Sequence, residues 1–418
     1  MKIAIGMIVK SLDSDIEIMK FIENAEKYGH EIDCVIVAYA RHVDPDVEKR
    51  LRRKIQLYAV DIKNPRYCME QFHRLGLSNL STVTLLGCPV EIQRGMAPYG
   101  FNRNIVLFEA MMRRVDTLFF VDNDVIPSVL TMTPDGIKCI ETDFFGAHLE
   151  QLNAGAHVTT GEYSGYNILP HATFDGMEYL LDGLQKSDML KYWKNSETHR
   201  CLILQPPVRE LKPCSKILGG NCAIKISALR NLPPFFSSQY IVGGEMFLCR
   251  GEDTVLGIEI AKSGTVCTDI GLNPLHDTYK NYPIEPDLRK DPETQERFYY
   301  ACTGWVGRNP FLNFMQGADL KATREFQERQ LMRGLKALKK YTSNPRFLGV
   351  IKNFEISWNS LGRYINEYER QLGAWEELKS RYFQNVDSAD LSKDGRRSIH
   401  SETSQRKSRR TRQLTIDN

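Results

Sequence analysis

Residues 117–125 read Thr-Leu-Phe-Phe-Val-Asp-Asn-Asp-Val, an apolar run that ends in two acids one residue apart. Because so apolar a run has no polar face to turn towards water, it predicts a strand buried on both faces inside a sheet. Sheets of this kind are mostly parallel and are covered by helices. Asp122 and Asp124 leave this strand at its carboxyl end, where open α/β sheets bind their ligands.

The sequence before this strand alternates short apolar runs with helical patterns, which is typical of a parallel sheet covered by helices. Helix starts are predicted at Ser14 and at Asp44-Pro45, and Gly29 is a predicted helix end. A further helix is predicted at residues 104–114. Strands are predicted at residues 3–9, 34–39, 55–62 and 82–86. The predicted fold class is therefore α/β, with a Rossmann-like, mostly parallel central sheet flanked by helices.

The rest of the chain divides into segments of different character. Residues 136–285 are less regular, and they contain predicted strands at 144–149, 217–226 and 265–270 and a predicted helix at 252–263. Residues 1–135 and 136–285 are predicted to form the two halves of one domain. Residues 286–318 form a predicted connector, residues 319–384 a helical extension and residues 385–418 a basic disordered tail.

The helical extension has a seam of large apolar residues spaced alternately by three and four positions, which is a heptad pattern. Its members are Ile351, Phe354, Trp358, Leu361, Ile365, Tyr368, Leu372 and Trp375. Two interpretations stay open: a helical hairpin packed on the same chain, or a coiled coil that makes a homo-oligomer. Aromatic residues in the seam, together with Gly362 and Gly373, favour the hairpin because they fit poorly between coiled-coil helices.

The composition is that of a globular protein and excludes few partners. Of the 418 residues, 42% are hydrophobic, and 55 basic residues nearly balance 52 acidic ones. No apolar stretch is long enough to cross a bilayer. The ten cysteines show no metal-ligand spacing, which is typical of reduced thiols, so we expect a cytoplasmic protein. Residues 395–412 hold seven basic residues and one acidic residue, so peripheral contact with an anionic membrane is an alternative to a solvated tail.

Asp122 and Asp124 have the chemistry of a divalent metal site. Carboxylates are hard oxygen ligands, and one or two of them can complete the coordination of Mg²⁺ or Mn²⁺ together with diphosphate oxygens. A metal in this position would neutralise the charge that builds on a departing nucleotide diphosphate. The alternative is that the two acids only form a turn after the strand.

Segments before and after these acids strengthen the interpretation as a metal site. Asp122-Asn123-Asp124 resembles the DxD motif of GT-A fold, family 2-like glycosyltransferases, and Arg103-Asn104 resembles the segment that precedes the DxD strand in these enzymes. Downstream, Glu252-Asp253 is similar to the acceptor-side Glu-Asp motif that opens a helix. His276 follows the next predicted strand, as a third metal ligand does in many of these enzymes. The resemblance covers roughly residues 1–280 and rests on the order and spacing of these segments.

The resemblance implies an enzyme that moves a sugar from a nucleotide-diphosphate sugar to an acceptor hydroxyl. The implied donor is a UDP- or GDP-sugar, and the implied acceptor is a glycan or glycoconjugate in polysaccharide or glycoconjugate synthesis. The enzyme would be a hexosyl- or N-acetylhexosaminyltransferase that uses Mn²⁺ or Mg²⁺. The implied roles are metal binding for Asp122, Asp124 and His276, general base for Asp253, and substrate binding for Arg103, Asn104, Gly219, Gly220 and Glu252.

Other functions remain open from the sequence. An inverting reaction is expected, with a retaining one as the alternative. A nucleotidyltransferase is disfavoured because no glycine-rich, basic loop follows residues 3–9. A scaffold that has lost activity and assembles through its helices is the alternative outside enzymes. The chain also has Ala38-Tyr39-Ala40-Arg41 where many family 2 enzymes carry an acidic run, which leaves the nucleotide base open.

Overall fold

The computed structural model describes residues 1–87, 98–190 and 202–413, with side chains through residue 388. The strands are β1 (Ile3–Val9), β2 (Cys34–Tyr39), β3 (Gln56–Asp61), β4 (Thr117–Asp122), β5 (Val125–Thr133), β6 (Gly136–Glu141), β7 (Val158–Thr160), β8 (Gly165–Tyr166), β9 (Leu202–Ile203), β10 (Lys212–Pro213), β11 (Asn221–Lys225), β12 (Gln239–Val242), β13 (Glu245–Leu248), β14 (Cys267–Asp269) and β15 (Pro274–His276). The helices are α1 (Ile16–Tyr28), α2 (Pro45–Arg52), α3 (Arg66–Arg74), α4 (Asn79–Leu86), α5 (Tyr99–Met112), α6 (Phe144–Asn153), α7 (Met177–Gly183), α8 (Glu252–Ser263), α9 (Pro292–Met315), α10 (Leu320–Thr342), α11 (Val350–Asn359) and α12 (Leu361–Gln413).

The central sheet has the strand order β10-β14-β7-β11-β4-β1-β2-β3. Strand β1 pairs in parallel with both β2 and β4, while β11 runs antiparallel between β4 and β7. The chain extends the sheet through β2 and β3 on one side of β1 and through β4 on the other, so the winding reverses between β1 and β4. Such a reversal opens a crevice at the carboxyl ends of the strands.

Helices cover both faces of this sheet, as the apolar strands require. On one face, Phe144 and Phe145 of α6 pack with Phe21 of α1 against the β4 residue Phe119. On the other face, α5 packs against the β4 residue Phe120. Because successive residues of a strand point to opposite faces, neighbouring phenylalanines enter separate cores. The predicted α/β class, with a mostly parallel sheet flanked by helices and a helical C-terminal extension, is confirmed.

Two predicted strands are wrong, because both segments are helical. Residues 82–86 belong to α4, which begins after Ser78 accepts a hydrogen bond from the backbone N–H of Ser81. Residues 144–149 belong to α6, where the Asp143 side chain accepts from the backbone N–H of Gly146. An apolar run of five or six residues is compatible with either structure, and the side-chain cap at the N-terminus favours the helix.

The C-terminal helices pack against the same chain. Most of the predicted connector, residues 286–318, is the long helix α9, which Asp291 caps and which is buried along much of its length. The predicted heptad seam spans α11 and α12, with a break at Ser360. Its aromatic members Phe354, Trp358, Tyr368 and Trp375 are buried within the chain. The aromatic part of the seam therefore packs in the core clusters of this chain.

The backbone beyond residue 384 continues as part of α12 up to Gln413, where the sequence predicts a disordered tail from residue 385. This segment has no proline and is rich in Arg, which is a good helix former. Side chains of the basic segment at residues 395–412 lie outside the described residues. In the part of the chain that is described, no helix has the length and apolar character needed to span a membrane.

Candidate active site

Strand pairing brings His276 to the two acids that follow β4. Asp122 ends β4 opposite Ile8 of β1, and Asp124 precedes β5 directly. Strand β15 pairs antiparallel with β5, so that His276 lies opposite Val125. The Nε2 atom of His276 is therefore 3.1 Å from Oδ1 of Asp124. Residues about 150 positions apart in the sequence meet at the carboxyl end of β4.

Arg103 links three of the predicted site segments. Its side chain extends from the first turns of α5 and is only 4% exposed. Its Nε donates to Oε1 of Glu252 at 2.9 Å, its Nη1 to the carbonyl oxygen of Gly219 at 2.7 Å, and its Nη2 to Oδ1 of Asp122 at 3.1 Å. Because a guanidinium is a planar, permanently charged fork of donors, it holds these three groups in one fixed arrangement.

Gly219 and Gly220 stand where no larger residue fits. A Cβ atom on Gly219 would lie 2.4 Å from Nη2 of Arg103, and one on Gly220 would lie 2.3 Å from Oδ2 of Asp122. The backbone N–H of Gly219 donates to Oδ2 of Asp253 at 3.3 Å. The absence of a side chain at these two positions therefore lets the backbone lie directly against Arg103 and Asp122.

Helix α8 supplies the remaining predicted acids. It begins after Gly251, whose φ of 89° lies in the left-handed region that glycine favours. Glu252 is 6% exposed and is bound by Arg103, whereas Asp253 is half-buried. Burial and the neighbouring charge of Asp253 raise the pKa of Glu252, although Arg103 acts in the opposite direction. The two neighbouring acids therefore have different surroundings, with Glu252 fixed in the interior.

The side chain of Asn104, a predicted site residue, points away from the acids and binds the backbone of Phe235. Its Nδ2 donates to the carbonyl oxygen of Phe235 at 2.8 Å, and its Oδ1 accepts from the backbone N–H of Phe235 at 2.8 Å. These two bonds tie α5 to the segment before β12. The side-chain amide is thus occupied by the backbone and does not join Arg103 at the acids.

Two further residues join the site without any sequence motif. The hydroxyl oxygen of Tyr163 accepts from the backbone N–H of Gly220 at 2.9 Å, and its ring centroid is 4.6 Å from that of His276. From α9, Nη2 of Arg297 lies 3.3 Å from Oδ2 of Asp124. Tyr163 lies in an irregular stretch, and Arg297 follows Asp124 by 173 positions, so neither has a local sequence signal.

Charges in the site are strongly coupled. Burial would raise the pKa of Asp124, but His276 and Arg297 hold it below its usual value. Burial would lower the pKa of His276, but the charge and hydrogen bond of Asp124 raise it. Tyr163 is kept neutral, because burial and the charge of Asp122 raise its pKa well above the usual value. Asp124 is therefore an ionised carboxylate at neutral pH.

The side chains of Asp122, Asp124 and His276 form only part of a metal coordination shell. They fit a metal that binds together with substrate phosphate oxygens better than a metal held by the protein alone. Among the described residues, no three His, Cys, Asp or Glu side chains converge as a preformed metal cage. Asp124 and His276 face each other, while Asp122 is held by Arg103. Mg²⁺ and Mn²⁺ commonly take one or two carboxylates together with substrate phosphate oxygens, so this partial set is sufficient for them.

No protein-family model and no curated protein sequence matches the chain. Several solved structures resemble it at low identity. One is the crystal structure of a mycobacterial protein, 15% identical, with a TM-score of 0.37, covering 76% of this chain and 75% of that chain. Another is glucosyl-3-phosphoglycerate synthase from Mycobacterium tuberculosis in complex with Mn²⁺, uridine-diphosphate and phosphoglyceric acid, 13% identical, with a TM-score of 0.37, covering 76% and 79% of the two chains. A complex of that synthase with Mn²⁺, uridine-diphosphate and glucosyl-3-phosphoglycerate is 14% identical, with a TM-score of 0.37 and coverage of 76% and 80%.

Proposed function

We propose that this chain is a metal-dependent glycosyltransferase of the GT-A type, which moves a sugar from a nucleotide-diphosphate sugar to an acceptor hydroxyl. The observation that carries the proposal is the convergence of Arg103, Asp122, Gly219 and Glu252 through one buried guanidinium. These residues come from segments that are far apart in the sequence, and they meet at the edge of the sheet where α/β folds bind ligands.

The donor side of the site is assigned to the acids after β4. Asp124 and His276, with Asp122 beside them, would hold Mn²⁺ or Mg²⁺ together with the diphosphate oxygens. When bound, the metal would stabilise the negative charge on the departing nucleotide diphosphate. Arg103 keeps the Asp122 carboxylate in place, and Arg297 adds a cation on the side of Asp124. We propose that Arg297 binds the diphosphate of the donor, because one guanidinium can donate two parallel hydrogen bonds to phosphate oxygens.

Asp253 is assigned as the general base. It lies one residue after the buried Glu252, and its Oδ2 accepts from the backbone of Gly219, so it faces the same crevice. In the reaction, the acceptor oxygen forms a bond to the anomeric carbon while the bond from that carbon to the diphosphate oxygen breaks. The hydroxyl proton passes to the Asp253 carboxylate. This displacement inverts the anomeric centre; in a retaining reaction, Asp253 would orient the substrate instead.

The test is a screen of UDP- and GDP-sugars with Mn²⁺, in which release of nucleotide diphosphate is measured. We expect release from one donor, its loss on adding a chelator, and a decrease of about tenfold to a hundredfold or more in Asp124→Asn. Asp135→Asn is the matched control, because the Asp135 side chain is 76% exposed and forms a surface ion pair with the nearby Lys138. If no donor is hydrolysed and none binds, the chain is better explained as a scaffold built on this fold.

A further inference from the structure

Two cations near the proposed base have no carboxylate partner. Among the described residues, no Asp or Glu oxygen lies within 4.0 Å of Lys186 or Arg308, whereas Arg103 and Arg297 are both paired. Both unpaired residues are half-buried rather than exposed. A cation that is partly removed from water without a partner is costly, so proteins rarely keep one unless an anion binds there.

Packing places these cations beside the start of α8. A Cβ atom on Gly251 would lie 2.9 Å from Cδ and 3.2 Å from Nη1 of Arg308, so the arginine lies directly against the residue that precedes Glu252 and Asp253. The Nζ atom of Lys186 lies 5.2 Å from the ring centroid of Trp305. Trp305 and Arg308 are three positions apart on α9, which puts them on one face of the helix.

The electrostatics of this place favour the binding of an anion. Burial, together with repulsion from Arg308, lowers the pKa of Lys186 to about 8. Burial also lowers the pKa of Arg308, although Asp253, Asp188 and Glu252 face it. Among the described residues, these acids act on the cations from a distance and form no direct ion pair with them.

The carboxylate oxygens of Asp253 accept hydrogen bonds from groups other than Arg308 and Lys186. Its Oδ2 accepts from the N–H of Gly219, and its Oδ1 accepts from the N–H of Thr254 at 2.7 Å and from the Thr254 hydroxyl at 3.3 Å. The two cations are thus not needed to hold the base in position, and they remain available to a ligand that occupies the crevice beside it.

We propose that the acceptor carries an anionic group, a phosphate or a carboxylate, which Arg308 and Lys186 bind while its hydroxyl faces Asp253. This inference rests on the proposed function and narrows the acceptor to a charged hydroxy compound. An anion held there also fixes the distance between the reacting hydroxyl and the base, which raises the rate by orienting the acceptor. Arg308 and Lys186 determine specificity, while the proton is accepted by Asp253.

The test compares acceptors that carry a phosphate or a carboxylate with their uncharged parent compounds. The first set is glucose, glucose 6-phosphate and glucuronate, and the second is glycerol, glycerol 3-phosphate and glycerate. With the donor identified by the hydrolysis screen, we expect kcat/KM for a phosphorylated or carboxylated member to exceed that of its uncharged parent by about ten- to a hundredfold, as expected for hydrogen bonds to a charged group. The phosphate and carboxylate arms identify which anion the site takes. Equal rates for charged and uncharged members of both sets would overturn the inference.

Variants localise the effect. Arg308→Met should lower the ratio of kcat/KM for the charged acceptor to kcat/KM for its uncharged parent by about tenfold or more. Arg308→Lys should restore part of this ratio. Arg53→Met is the matched control, because it removes the same charge from an exposed residue after α2. If Arg308→Met does not fold, Lys186→Met serves as the second variant. A ratio that is unchanged in folded Arg308→Met and Lys186→Met contradicts the assignment.

A binding measurement separates this inference from the proposed function. Calorimetric titration with glycerol 3-phosphate needs no turnover, and we expect weaker binding in Arg308→Met than in Arg53→Met. If donors are never hydrolysed but this difference is present, the anion site stands and the proposed function fails. If donors are hydrolysed and glycerol 3-phosphate binds both variants equally, the inference fails and the proposed function stands.

Discussion

Arg103 forms ion pairs with both Asp122 and Glu252 and so fixes the positions of these two acids. From the sequence, Glu252 is explained equally well by stabilisation of a helix N-terminus, which needs no function. In the structure, Glu252 is buried and bound to Arg103, which also holds Asp122. Breaking a buried ion pair by removing one partner typically costs about 3–5 kcal/mol. An arrangement this costly to disturb keeps Asp122 in one position at the end of β4.

A substitution at Gly220 tests whether the position of the Asp122 carboxylate matters for activity. In Gly220→Ala, the new Cβ would lie 2.3 Å from Oδ2 of Asp122, so the carboxylate must move. Because a displacement of about 1 Å can lower an enzymatic rate by about a hundredfold, we expect release of nucleotide diphosphate to fall by that amount. The measurement is the initial rate with the best donor, together with the thermal unfolding midpoint to verify the fold.

Gly362→Ala is the control for this substitution. Gly362 lies in α12, and a Cβ atom there would come within 4 Å of no described residue beyond its own stretch of helix. The change should leave the rate unaltered and raise stability by up to about 1 kcal/mol, because alanine favours helix. Full activity in Gly220→Ala would contradict the role given to Asp122.

Local motifs could predict part of the site. Asp122, Asp124 and Arg103 each stand next to a clear strand or helix signal, and Glu252 and Asp253 open a helix whose bounds match the predicted residues 252–263. Asn104 follows Arg103 directly in the sequence, but adjacent residues of a helix point in different directions. Arg297 and Tyr163 could not be found, because only the tertiary fold places them beside Asp124 and Gly220.

Among the elements, α9 links the helical extension to the proposed site. It carries Arg297, which contacts Asp124, and it also carries Trp305 and Arg308 beside the start of α8. The sequence predicts only a connector here, because α9 is buried on most sides and therefore lacks the alternation of polar and apolar faces that identifies a surface helix. Helix α9 thus contributes residues to both sides of the crevice.

Trp375 tests whether α12 is part of this folded unit. It is fully buried, its ring stacks on Phe108 with centroids 6.1 Å apart, and its Nε1 donates to the carbonyl oxygen of Leu232 at 3.0 Å. Trp375→Ala should therefore lower the free energy of unfolding by about 3–5 kcal/mol. Urea denaturation at two protein concentrations provides the measurement.

The control is Phe326→Ala on α10, because Phe326 is 43% exposed and should change stability by only about 0.5 kcal/mol. Because the seam is used within the chain, the unfolding midpoint should not depend on protein concentration. A midpoint that rises with concentration, together with a small effect of Trp375→Ala, would favour the oligomeric coiled coil instead.

At the scale of the whole molecule, the order of the strands explains why the site lies where it does. The parallel strands β1 and β4 are neighbours, and the chain winds away from them in opposite directions. The sequence predicts this sheet because its apolar runs are short and regularly spaced. It does not predict the pairing of β15 with β5, which involves only a few residues of each strand and brings His276 to Asp124.

We expect a divalent metal and a nucleotide diphosphate to bind together at the carboxyl ends of β1 and β4. The most direct measurement is calorimetric titration of UDP and of GDP into the protein with and without Mn²⁺. Because Asp124 and His276 form only part of a coordination shell, Mn²⁺ alone should bind weakly. One nucleotide should bind at least about tenfold more tightly with Mn²⁺ than without it, and Asp124→Asn should remove that difference. Nucleotide binding that is indifferent to Mn²⁺, or absent for both nucleotides, would contradict the account.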